Sequence, residues 1–142
     1  MPYIKITDGQ PENYSIGQLK RDNPNTSFPK RPSDELLADW EVYPYVVQDQ
    51  LTVDYLTQTL TPAALTQVDG AWTQGWVVSN LSAEDAGRNI RSHRDKFLQQ
   101  SDWMALSDNT MTPEWASYRQ SLRDITGQVG FPYSVVWPAK PE

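Results

Sequence analysis

The sequence predicts an α+β protein. An N-terminal extended segment with a small antiparallel β-meander comes first, then an antiparallel helical hairpin and a short extended tail. Three observations carry this reading. Asp69-Gly70 stands between two β-prone runs, Leu65 to Val68 and Ala71 to Ser79, and Asp-Gly in that setting is a strong hairpin signal. Two apolar-periodic segments after residue 81 are each preceded by a capping residue. The stretch from Asn13 to Pro32 carries Pro24, Pro29 and Pro32, each of which removes a backbone donor.

Taken in order, Tyr3-Ile4-Lys5-Ile6 is a short strand that ends at the Asp8-Gly9 turn. The prolines then predict a loop through Pro32. Ser33 or Asp34 caps a short helix through Trp40, Pro44 ends that element, and Tyr45-Val46-Val47 reads as a strand. A further strand is expected over Leu51 to Leu60, followed by the Asp69-Gly70 hairpin. Trp72, Gln74, Trp76 and Val78 share one face of the second arm. That face either packs on the helices or forms a binding surface.

Ser82-Ala83-Glu84-Asp85 is a capping box and predicts a helix over about 83–100, with Ala86, Ile90, His93 or Arg94, Phe97 and Leu98 near one face. Gly87 is expected to weaken its first turns. Thr112-Pro113 starts a second helix whose stripe is Trp115, Tyr118, Leu122 and Ile125, with Gly127 as its C′ residue. The expected division is a β-rich region, 1–80, and a helical region, 81–142.

The 142 residues leave room for one domain or two very small ones. Leu, Ile, Val and Phe together number 29, near the lower limit for a folded chain, whereas six Trp and seven Tyr supply large buriable rings. The core is therefore expected to rest on rings. A net charge of −6 without a basic stripe opposes binding to nucleic acid or anionic membrane. Cysteine is absent, which excludes disulfides and thiolate metal sites. With no apolar run of membrane-spanning length and no leader-like start, a soluble cytosolic protein is expected.

Catalytic patterns are missing. His93 is the single histidine, and Ser92 beside it points about 100° away on a helix. Asp34, Glu84, Asp85, Asp102, Asp108 and Glu114 fall at caps and turns, so a carboxylate hydrolase would need a pair assembled in three dimensions. No cofactor is expected, and the chain reads as non-enzymatic. Trp103, Met104, Met111, Trp115, Tyr118 and Arg119 are residue types favoured at protein interfaces. Trp115 and Tyr118 also suit the core of the helical hairpin.

The run Arg94-Asp95-Lys96-Phe97-Leu98, then Ser101-Asp102-Trp103, then Trp115 to Ile125, then Gly130-Phe131-Pro132 and Val136-Trp137-Pro138 resembles the phage tail assembly chaperone family. Met104-Ala105 stands where that family usually has Thr-Gln, and the linker from Asp108 to Trp115 is short for it. The resemblance implies a non-enzymatic bacteriophage tail protein that binds tail or tail-fibre polypeptides in the host cytoplasm during assembly. The alternative is a minor virion structural or fibre-attachment subunit retained in the mature tail. Candidate partner-binding residues are Trp103, Met104, Trp115, Tyr118, Arg119 and Trp137. The expected partners are other phage tail or tail-fibre proteins, with self-association left open.

Overall fold

Both Asp-Gly pairs fold as tight hairpin turns. In the computed structural model, which describes residues 1–142, Asp8 and Gly9 have φ of 51° and 76°, and Asp69 and Gly70 have 50° and 80°. Two successive positive φ values match the right-handed twist of the flanking strands. The first turn joins β1 (Tyr3–Thr7) to β2 (Gln10–Tyr14), and the second joins β4 (Gln58–Val68) to β5 (Ala71–Asn80). With β3 (Val42–Val47) these form a five-stranded sheet in the order β2-β1-β3-β5-β4.

The sheet is mixed, not a purely antiparallel meander. β1 pairs antiparallel with β2 and β3, but β3 pairs parallel with β5, Tyr45 lying opposite Trp72. The strand carrying Trp72 and Trp76 is therefore internal to the sheet. Pro44 lies within β3 instead of preceding a strand. Tyr45 N–H donates to Pro2 O on the β1 side, so the nitrogen of Pro44 faces the other way. The β5 partnership begins only at Tyr45, and no ladder bond is lost there.

The expected loop from Asn13 to Pro32 contains α1 (Ile16–Asp22). Ser15 starts it, its hydroxyl accepting from Gln18 N–H at 3.0 Å, and Leu19 is wholly buried. Ser15-Ile16-Gly17-Gln18 is itself a capping-box sequence, a local signal for this helix that lies ahead of the prolines. α2 (Asp34–Ala38) begins at Ser33 as expected. The expected strand from Leu51 forms only from Gln58, because Asp54 builds a turn first. Its carboxylate accepts from Leu56 N–H and the Thr57 hydroxyl, and its carbonyl accepts from Gln58 N–H.

The chain divides into two compact units. The first, residues 1–51 and 61–77, has Leu19, Leu37 and Val42 at its centre, ringed by Tyr3, Tyr14, Ile16, Phe28 and Trp40. Phe28 meets Trp40 edge-on with ring centres 5.3 Å apart. The Trp76 indole N–H donates to Gln48 O at 2.8 Å. The second unit, residues 52–60 and 78–142, holds α3 (Ala83–Ser101), α4 (Pro113–Arg123) and two short 3-10 turns, Asp102–Ala105 and Asp124–Gly127. Its buried residues include Ala86, Ile90, Tyr118, Leu122 and Ile125.

Both caps of this unit form as expected: the Ser82 hydroxyl accepts from Asp85 N–H and the Thr112 hydroxyl from Trp115 N–H. Of the two glycines, Gly127 departs from expectation and Gly87 has a packing role besides its expected effect on the helix. Gly127 has no positive φ, because α4 ends by tightening into the Asp124–Gly127 turn. Gly87 is buried, and a Cβ there would stand 3.3 Å from the Phe131 ring, so it permits a close approach. Gly130 is more constrained still: a Cβ would fall 2.0 Å from Ser134 O, where Ser134 N–H already donates to Gly130 O.

Two outcomes follow. Gly130→Ala should destabilise the protein by about 1–3 kcal/mol, the scale of forced overpacking, in urea unfolding monitored by circular dichroism. The second concerns Tyr14, whose hydroxyl donates to Asp22 at 2.5 Å. Burial first, then that carboxylate, push its phenol up to about 12. Its raised value contributes stability that is complete below pH ~10 and lost as pH rises through about 12. Ultraviolet titration should show this late phenol, and Tyr14→Phe should remove it.

Candidate partner-binding groove

In the second unit, α3 and α4 are joined where the first helix ends. Arg119, on α4, donates to Leu98 O at 2.9 Å and to the Ser101 hydroxyl at 2.6 Å through one nitrogen, and to Asp102 at 2.9 Å through the other. Leu98 is in the last turn of α3, where carbonyls lack helical donors, and a guanidinium fork supplies one. The Ser101 hydroxyl, 1% exposed, in turn donates to Leu98 O at 3.2 Å. No buried side-chain polar atom is left without a partner.

Beside this junction a groove of about 530 Å³ opens. Phe97 and Ser101 come from α3, Trp103 and Met104 from the following turn, Trp115 and Tyr118 from α4, and Lys140 to Glu142 from the end of the chain. Trp115 and Tyr118 sit one helical turn apart, edge-on, with ring centres 5.6 Å apart. Trp103 is 56% exposed although it is a large apolar ring. Asn109 orders the connection by donating to Met104 O at 2.8 Å.

The six residues singled out from the sequence thus occupy distinct places. Trp103, Met104 and Trp115 line the groove with their rings or thioether partly open. Tyr118 lines it too but is 7% exposed, and burial raises its phenol pKa. Arg119 is spent on the helix junction. Trp137 is half-buried against α3, its ring centre 5.0 Å from His93 and 5.8 Å from Phe97, both edge-on.

Sequence reasoning missed three contributors. Gln128 pairs with Val136 backbone in both directions, its amide donating to Val136 O at 2.8 Å and accepting from Val136 N–H at 2.7 Å. The Lys140 ammonium lies 6.0 Å from the Trp115 ring centre. His93 also packs on Phe97 at 4.8 Å. The sequence puts His93 or Arg94 on one face with Phe97 without naming a contact between them, and the other contacts join residues brought together by folding.

Carboxylates are placed in caps and ion pairs: Asp85 with Ser82 and Arg88, Glu84 with Arg88, Asp102 with Arg119. The hydroxyl of Ser82 and then Arg88 hold the Asp85 carboxyl below its ordinary range. No group of three or more His, Asp or Glu is arranged to hold a metal ion. No helix is long and apolar enough to cross a membrane.

Residues 87–142 match the family described as phage tail assembly chaperone protein. The match covers less than half of the chain and begins inside α3. No curated protein and no solved structure matches the chain.

The junction can be tested by separating its two kinds of contact. The Asp102 carboxylate is 60% exposed, so the ion pair alone contributes little, whereas Ser101 is buried and the bond to Leu98 O is partly so. Arg119→Leu should cost about 1.5–3 kcal/mol in urea unfolding, the range for hydrogen bonds to a charged group. Asp102→Asn should cost under ~1 kcal/mol.

Proposed function

We propose that this chain acts without catalysis in bacteriophage tail assembly, its groove holding a short segment of a tail or tail-fibre polypeptide until that polypeptide is incorporated. One observation carries the reading. Every residue lining the groove lies within 87–142, the segment that matches the tail assembly chaperone family. The volume, about 530 Å³, lies in the ~300–1,000 Å³ range of specific pockets, which suits a few side chains of a partner. A large ring left half in water at the groove's mouth, as Trp103 is, is the kind of anchor that dominates interfaces. The net charge of −6 disfavours non-specific association of copies while the protein waits for its partner.

Co-expression with each tail and tail-fibre polypeptide encoded by the same phage, followed by affinity capture, tests this. One of them should co-purify with the wild type. Trp103→Ser should weaken that complex by about 2 kcal/mol or more, the hot-spot scale, with the unfolding midpoint unchanged because the ring is more than half exposed. Capture of no tail polypeptide, or equal affinity for the variant, would count against the reading.

A further inference from the structure

We propose that residues 135–142 form a displaceable strap. The second unit then recognises an extended segment bearing an aromatic ring followed by proline, and the chain's own Val135–Glu142 occupies that position in cis. The inference rests on the reading of this groove as a polypeptide-binding site and names what it reads.

The strap has neither helix nor strand. Its backbone is held at one residue, Val136, whose N–H and carbonyl both bond the Gln128 amide, as a neighbouring strand would bond them. That clamp reads main chain and is indifferent to the side chain, since Val136 itself is 77% exposed. Selectivity comes from the next two positions. Trp137 packs its ring edge-on against the adjoining rings of His93 and Phe97, and Pro138 is half-buried beside it. Beyond them the Lys140 ammonium lies over the Trp115 face, and Lys140 to Glu142 form one wall of the groove.

Two hydrogen bonds, one docked indole and one distant cation–π contact hold the strap. Each neutral hydrogen bond contributes only modestly once water competes for its partners, so the segment is secured far less firmly than a packed helix. Segments with so few buried contacts open below the free energy of global unfolding. An incoming segment of the same chemistry would meet a formed clamp and a formed aromatic slot. As the strap leaves, the Lys140 to Glu142 wall of the groove beside Trp115 would leave with it.

The probe is a labelled synthetic peptide of residues 135–142, titrated by fluorescence anisotropy. Wild-type protein should bind it weakly, because the site is filled. Full-length Trp137→Ala and a chain ending at Ser134 should each bind it on the order of tenfold tighter, as the competent fraction rises. Adding Phe97→Ala to Trp137→Ala should abolish the gain. Equal affinity for all forms would overturn the strap, as would a wild-type dimer in sedimentation whose tails are exchanged between copies. Hydrogen exchange on unaltered protein gives an independent reading: the Val136 amide should exchange well before that of Leu122, and equal protection would also overturn it. The peptide belongs to this chain, so a negative result removes the strap and leaves the assembly role to the capture experiment.

Discussion

The guanidinium of Arg119 is the contact on which the second unit depends. It accepts no substitute of simpler shape, because it must reach Leu98 O, the Ser101 hydroxyl and the Asp102 carboxylate from one side chain. A lysine is a point charge and cannot present two nitrogens in a fixed plane. By binding the last turn of α3 from α4, it sets where the chain leaves α3. Trp103 and Met104 follow within the next three residues, and Trp115 lies one helical turn before Arg119. The same fork that closes the end of α3 therefore positions both sides of the groove.

Contrary to the ring-based core expected from composition, the wholly buried side chains are aliphatic, among them Ile4, Leu19, Leu37, Val42, Ile90, Leu122 and Ile125, and the rings pack half-buried around them. Phe28 on Trp40 in the first unit, and His93, Phe97 and Trp137 in the second, meet edge-on, where the positive rim of one ring faces the negative face of another. Such contacts tolerate half-burial better than aliphatic ones, because each ring keeps one side available. This places large apolar surfaces near solvent in a protein with little leucine to spare. Arg91 over Phe131, 5.2 Å from its ring centre, continues the theme along α3.

The sequence showed local structure well where one residue type enforces it. Asp8-Gly9, Asp69-Gly70, Ser33, Ser82 and Thr112 each act through backbone geometry or a single capping bond, and each is found where the pattern placed it. What failed depended on weighing neighbours. α1 carries its signal in the Ser15 cap, and the proline-rich stretch that predicts a loop begins only after the helix ends. The strand expected from Leu51 starts late because Asp54 bonds three nearby residues, Leu56, Thr57 and Gln58, which β-propensity does not register. The parallel β3–β5 pairing has no local signature at all. At the groove, residue type identified aromatic and basic side chains worth attention. It could not separate Trp103, left open, from Arg119 and Trp137, which contact α3, because those contacts span 17 to 44 positions.

These features support a protein that holds a polypeptide segment briefly: a formed groove, an exposed tryptophan at its mouth, and a loosely held segment of its own across one side. The most direct test of that account is quantitative mass spectrometry of purified phage particles set against the lysate they came from. The account predicts a chain abundant in the lysate and missing from the particles. A fixed ratio to known tail proteins within the particles would contradict it and make this chain a resident subunit of the tail.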